Sequence, residues 1–391
     1  MWSTLMMLAA LLGPPPISGP LVAPARVPPA DRTCQEPGTP AREIPWHQRS
    51  YDPQRIAPLT RGEGITVAVL DSGVDASHPQ LAGRVLAGQD LLFGGGGPGN
   101  WDCVGHGTAV ASLIAGAGDG EGAFRGYAPA AQVLPLVVSE RSVDQGEGTA
   151  GSAEGFAAAI RAAVAAHAQV INVSLVLDED HPSLRAAVEQ ALANDIVVVA
   201  AVGHADQDSA VPTRTPYPAG YPGVIGVGSI DMRGARPASS PAGPWVDLVA
   251  PGDQVLAATR SSGFTVYQGT SFATPFVSAA AALVLASEPD LSARQVAARL
   301  FATADPAAGG LPGGRPSAGY GWGVVNAYRA VSEHQGSATR DAAQPLPVFT
   351  SDPVDPVRTR QIRIALTASA LIGGLAALAV AAASAVPKGR R

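Results

Sequence analysis

Three short blocks in this chain carry residue types that together could break an acyl bond. Ser271 stands in Gly269-Thr270-Ser271-Phe272-Ala273-Thr274-Pro275, ahead of a run, Phe276 to Leu285, that is apolar on every side. A helix with no polar face belongs in the interior of a large domain. Its N-terminus supplies unpaired backbone N–H groups and the positive end of a dipole, which suit a developing oxyanion. A serine hydroxyl is a weak nucleophile until a neighbouring imidazole takes its proton. His106 opens a second small-residue stretch, His106 to Gly116, and Asp71 ends the β-branched run Ile65 to Leu70. A carboxylate on the far nitrogen of the imidazole would fix its tautomer and stabilise the imidazolium.

The elements needed to bring these residues together are legible. Ile65–Leu70 is short, continuous and β-branched-rich, as a strand buried on both faces should be. Asp71 then falls at a carboxyl strand end, where open α/β sheets place their sites. Further strand-like runs near Val133, Val170, Ile196, Val224 and Val255 alternate with helical stretches 156–167, 182–193 and 292–304. The alternation predicts an α/β fold, a doubly wound and mostly parallel sheet with helices on both faces. At 46% hydrophobic residues the chain can fill a large core, and a net charge of −6 argues against nucleic acid as a partner.

The blocks Asp71-Ser72-Gly73-Val74-Asp75, His106-Gly107-Thr108 and Gly269 to Pro275 resemble the signature blocks of the subtilisin-like serine proteases, the peptidase S8 family. They occur in that family's chain order, and Gly321 to Ala327 resembles its closing block. The resemblance implies a Ser/His/Asp endopeptidase acting on a protein or peptide, with Asp71, His106 and Ser271 as the triad. A lipase or esterase of the α/β-hydrolase type would need a different order and a G-x-S-x-G elbow.

Two departures from the family pattern stand out. The family's strand before the oxyanion hole commonly ends in Ala-Ala-Gly-Asn; here Ala201-Val202-Gly203 leads to His204. His204 is a substitute oxyanion donor, a displaced surface histidine or a mark of impaired catalysis, and the sequence leaves all three open. Losing one oxyanion donor costs about 100- to 1000-fold in rate. Relatives commonly follow an earlier strand, Val170–Leu175, with Gly-Gly; here Val176-Leu177 stand instead. Ser174, Leu175, Val176, Ala201 and Gly203 are the candidate substrate-binding residues, and branched side chains there predict narrow specificity. The Asn172-Val173-Ser174 sequon falls in a strand that should be buried.

The ends of the chain suggest an exported, tethered protein. Residues 1–25, apolar from Leu5 to Leu12 and closing on Ala23-Pro24-Ala25, read as a secretory signal. A Pro-rich extension (26–50) precedes the peptidase domain (51–333). A Pro-rich linker (334–361) follows, then an apolar segment (362–386) and a basic tail (387–391). Within it, Ile364 to Val386 is 23 residues without a charge, about 34 Å of helix and enough to span a bilayer. The catalytic domain is then expected outside the cell membrane. Cys34 and Cys103 are the only cysteines; in an exported protein a disulfide is the simplest reading, two buried thiols the alternative. It would strap the extension beside His106.

This architecture resembles the mycosins, membrane-anchored proteases of type VII secretion systems. That resemblance implies secretion-system membrane proteins as partners, and a rival reading as a structural component with a vestigial site. No cofactor is expected. Structural calcium has no compact ligand motif here, and Asp75, Asp90 and Asp102 read as solvated or capping carboxylates.

Overall fold

The computed structural model describes residues 33–92, 97–118, 124–140, 151–205, 214–307 and 316–333. The signal, linker, membrane-segment and tail expectations lie outside the described residues. The stretches 94–97, 142–152 and 206–218, which read from the sequence as surface loops, also lie mostly outside them. By contacts the chain divides into Met1–Ala338 and Thr339–Arg391, and every described residue belongs to the first unit.

The described chain begins with a strap that leads into α1 (Trp46–Ser50) and α2 (Pro53–Ile56). Then come β1 (Thr66–Asp71), a 3-10 turn (Pro79–Leu81), β2 (Gln89–Asp90), α3 (His106–Ala115) and β3 (Gln132–Val137). They are followed by α4 (Ala153–Ala165), β4 (Val170–Val173), α5 (Pro182–Ala193), β5 (Val197–Ala201), β6 (Ile225–Ile230) and β7 (Leu248–Pro251). The last elements are β8 (Val255–Ala258), β9 (Phe264–Tyr267), α6 (Thr270–Ser287), α7 (Ala293–Ala302) and α8 (Ala327–Ser332).

Seven strands form one sheet in the order β2-β3-β1-β4-β5-β6-β7, and every pairing in it is parallel. Alternate residues of β1 feed opposite cores. Val67 and Val69 join α3 and α6, while Ala68 and Leu70 join α4 and α5. That is why the strand reads as a continuous apolar run instead of an alternation. The winding reverses between β1 and β4, so their carboxyl ends, Asp71 and Val173-Ser174, flank the switch-point crevice. The Val255 run departs from the expected α/β alternation. It forms β8, paired antiparallel with β9 outside the main sheet.

Helix α6 is apolar on all sides and buried along almost its whole length. It is long and apolar enough to cross a membrane by composition, but it packs against α3, α8 and the sheet as the domain's central helix.

The strap is fixed at both ends. A disulfide joins Cys34 to Cys103, and Thr39 exchanges backbone hydrogen bonds with Phe264 (3.0 and 2.8 Å), extending the small sheet at β9. The Gln35 amide then accepts from Arg260 N–H (2.9 Å) and donates to the Tyr267 hydroxyl (2.9 Å). At α1 the strap drives His47 into the core against Phe124, Tyr127 and Phe276. Its ring nitrogens reach only the Leu256 carbonyl (3.2 Å) and the Tyr127 hydroxyl (3.3 Å). Burial, outweighing the carbonyl contact, drops the His47 pKa from 6.5 to about 3.

The folded state therefore refuses a proton that the unfolded chain accepts below about pH 6.5, and stability must fall as pH drops from there toward 3. Asp247, half-buried and pushed by desolvation up to about 7, works in the opposite direction, so the informative quantity is a difference. Unfolding midpoints measured across this window should fall more steeply in the wild type than in His47→Gln; parallel curves would remove His47 from the account.

Candidate active site

The position of the histidine depends on the backbone geometry at the start of α3. Gly105 caps α3 with φ +83°, a conformation that favours glycine, and a Cβ there would overlap the Gln35 side chain of the strap. Gly107 lets α3 descend onto β1; a Cβ would strike the Gly73 carbonyl and approach Asp71. Asp102 completes the start of the helix. Its carboxylate accepts from Gly105 N–H (2.8 Å), Thr108 N–H (2.9 Å), the Thr108 hydroxyl (2.7 Å) and the Ser72 hydroxyl (3.0 Å). Burial pushes the Asp102 carboxyl above its ordinary pKa, and these donors pull against that. Ser72 in turn accepts from Gly107 N–H (3.0 Å).

With α3 so docked, His106 Nδ1 lies 2.7 Å from Asp71 Oδ1, both side chains almost wholly buried. Asp71 Oδ1 also accepts from Ser72 N–H (2.7 Å). On the other side of the imidazole sits Phe272, ring centres 4.9 Å apart, with Tyr267 stacked on Phe272 at 4.6 Å. The far nitrogen of this imidazole, Nε2, is itself buried.

Ser271 adjoins Phe272 in the first turn of α6. Gly269 precedes the helix at φ +134°, reachable by glycine alone, so the backbone turns sharply and leaves Ser271 partly exposed at the crevice. The Ser271 hydroxyl donates to the Ser174 carbonyl (2.7 Å). Rotation about one side-chain bond would redirect it, and such contacts are often loose until substrate binds.

His204 follows β5 on the same rim. Its Nε2 stands 2.9 Å from where a Gly269 Cβ would be, which puts the imidazole against the segment that launches α6. One edge faces solvent, but surrounding protein first, and repulsion from His106 second, hold its pKa below the ordinary histidine value. His204 is exposed by surface area, and its three readings stay open.

The other candidates divide by depth. Ser174 and Ala201 are buried, Ser174 beneath Ser271 and Ala201 inside β5. Leu175, Val176 and Gly203 are half-exposed, and the Val176 methyl carbons lie 3.4 to 3.7 Å from the space a Gly203 Cβ would fill. Leu177 is paired with Tyr217, and Val176 stands just before that pairing. Asp75 is occupied by Ser77 and Ser261, and Asp90 by Leu92 N–H. Among the described residues no group of three or more His, Cys, Asp or Glu side chains could hold a metal ion.

The comparisons decide the family. The pattern of the subtilase family, peptidase S8, matches residues 62–323. This chain is a subtilase. It is 34% identical to mycosin-4 of Mycobacterium tuberculosis over 376 residues, covering 84% of this chain and 80% of mycosin-4. The crystal structure of MycP1 from Mycobacterium smegmatis superposes with a TM-score of 0.69 at 30% identity, over 82% of this chain and 93% of that one. The MycP3 protease of the type VII (ESX-3) secretion system gives 0.63 at 31% identity, over 77% and 92%. This subtilase is thus a subtilisin-like serine protease related to the mycosins.

Sequence reading missed Phe272, Tyr267 and Ser72 as supports of the histidine. The contacts that matter, Phe272 on His106 and Ser72 to Asp102 and Gly107, are long-range; Asp102, a carboxylate shortly before a helix start, was read as solvated or capping, and it caps.

Replacing Val176 with glycine should widen the end of the cleft and broaden the set of sequences cleaved from a peptide library. An unchanged cleavage profile would show that Val176 does not border the substrate.

Proposed function

We propose that this subtilase is an extracytoplasmic, membrane-anchored serine endopeptidase that works with a type VII secretion machine. The observation that carries the catalytic part is the buried 2.7 Å Asp71–His106 contact beside the head of the Ser271 helix. In this reading His106 Nε2 takes the Ser271 proton as Oγ attacks the scissile carbonyl and returns it to the leaving amine. Asp71 holds the imidazole with Nδ1–H inward and balances the imidazolium; it does not itself take the proton. The Ser271 backbone N–H, unpaired in the first helical turn, donates to the oxyanion.

His204 is the second oxyanion donor in this reading, in its neutral form. With its pKa lowered, one ring nitrogen carries a proton at neutral pH and the other does not. The anchor and the secretion partner rest on likeness: the charge-free segment 364–386, and mycosin relatives of which one is described as an essential component of the type VII (ESX-1) secretion system. The substrate is an exported protein or peptide that can enter a narrow cleft in extended form. No cofactor takes part.

A second reading, a structural subunit with an impaired site, is favoured by one specific observation: an imidazole stands where relatives commonly carry an asparagine amide. A fluorophosphonate probe separates the two. The full-length protein should label at Ser271 and Ser271→Ala should not. His204→Ala should slow labelling by about 100-fold or more, the usual cost of an oxyanion donor. Labelling that is absent in the wild type, and gained only in His204→Asn, would hand the case to the structural reading.

A further inference from the structure

Pro275 lies in the second turn of α6. In an α-helix the N–H of residue 275 would bond the carbonyl of residue 271, but proline has no N–H to give. The Ser271 carbonyl is therefore released from the helix at the very residue whose hydroxyl faces the crevice. A buried carbonyl needs a donor, and the Ser174 hydroxyl supplies it at 2.9 Å.

That hydroxyl does not act alone. Asn172 Nδ2 donates to Ser174 Oγ (2.9 Å), and Ser278 Oγ donates to Asn172 Oδ1 (2.8 Å). Asn172 and Ser278 are completely buried and Ser174 nearly so. The chain of donation runs in one direction, Ser278 to Asn172 to Ser174 to the Ser271 carbonyl, and the Ser271 hydroxyl closes it by donating to the Ser174 carbonyl (2.7 Å). Polar groups are costly in such a core unless each is paired. Here every link is paired, and the asparagine amide is oriented by its two serine neighbours.

We propose that Asn172 and Ser278 are positioning residues for Ser271, acting through Ser174 to fix the height and side-chain direction of the serine at the head of α6. The inference rests on the reading of Ser271 as nucleophile for its kinetic consequences, but its geometric content does not. Asn172 alternates with Val173 on β4, and Ser278 lies about two turns along α6 from Ser271. Asn172 and Ser278 therefore tie sheet to helix behind the serine, with both side chains fully buried. Connected polar networks behave as units, so loss of one member should cost nearly as much as loss of two.

The test uses the full-length protein and Ser278→Ala, Ser174→Ala and the double variant. Ser278→Ala removes one oxygen from a small side chain. Each single variant should lower kcat on a cleaved peptide by about 10- to 100-fold, the scale of a displaced reacting group, while KM changes little. The double variant should be no slower than Ser174→Ala. A Ser278→Ala protein that unfolds at lower temperature but keeps its kcat would overturn the proposal, as would multiplied losses in the double variant. A crystal structure of Ser278→Ala answers without turnover. The Ser271 carbonyl and hydroxyl should move off Ser174; an unmoved Ser271 would refute the relay. If the wild type does not turn over at all, the protease reading fails, and the crystallographic comparison still decides the relay.

Discussion

The whole arrangement depends on burying a carboxylate against an imidazole. Such a pair is expensive in the interior unless both partners are hydrogen-bonded and held close, and Asp71 and His106 meet at 2.7 Å only because α3 lands directly on the end of β1. Two glycines permit the landing and one carboxylate holds it. Gly73 sits at φ +110° beneath the helix, and Gly107 leaves room for its carbonyl. Asp102 gathers the N–H groups at the head of α3, so the orphaned donors of the helix are satisfied by a side chain and not by Asp71. Asp71 is left to the imidazole.

The second layer is the central helix. In most helices an all-round apolar surface and an internal proline would be a conflict, since proline removes a bond that burial makes necessary. In α6 the conflict is resolved locally, with the freed Ser271 carbonyl bound by Ser174. The same helix presents Phe272 to His106 and Phe276 to His47. One face of its first two turns therefore touches the crevice, and another touches the strap. The strap reaches the histidine by a second route, through Gln35, which fills the space beside Gly105 and bonds the hydroxyl of Tyr267. The N-terminal segment is in this sense part of the site's frame, cross-linked to it at Cys103.

Much of this was legible beforehand because it is local. The strand before Asp71, the helix at His106 and the apolar run after Ser271 each carry their own periodicity, and their order along the chain specifies a doubly wound sheet. The Cys34–Cys103 pairing followed from there being just two cysteines. What escaped was long-range and aromatic: Tyr267 upon Phe272 upon His106 joins residues from β9, α6 and α3, and no spacing announces it. The Val255 run escaped for a related reason. A short β-branched run looks the same in a parallel sheet as in an antiparallel pair, and only its partner β9 separates the two.

The depth of the residues around the cleft was also invisible, and it changes what His204 means. The imidazole lies against the start of the helix, where Gly269 at φ +134° offers no side chain to collide with. In the proposed mechanism His106 becomes a cation during acyl transfer, and a second imidazole nearby would then have to stay uncharged. Burial and the repulsion of His106 both push His204 that way. An uncharged imidazole donates from only one nitrogen, where an amide offers two hydrogens on one atom. In the proposed role its worth as an oxyanion donor is thus set by tautomer, and the tautomer by whatever its other nitrogen meets.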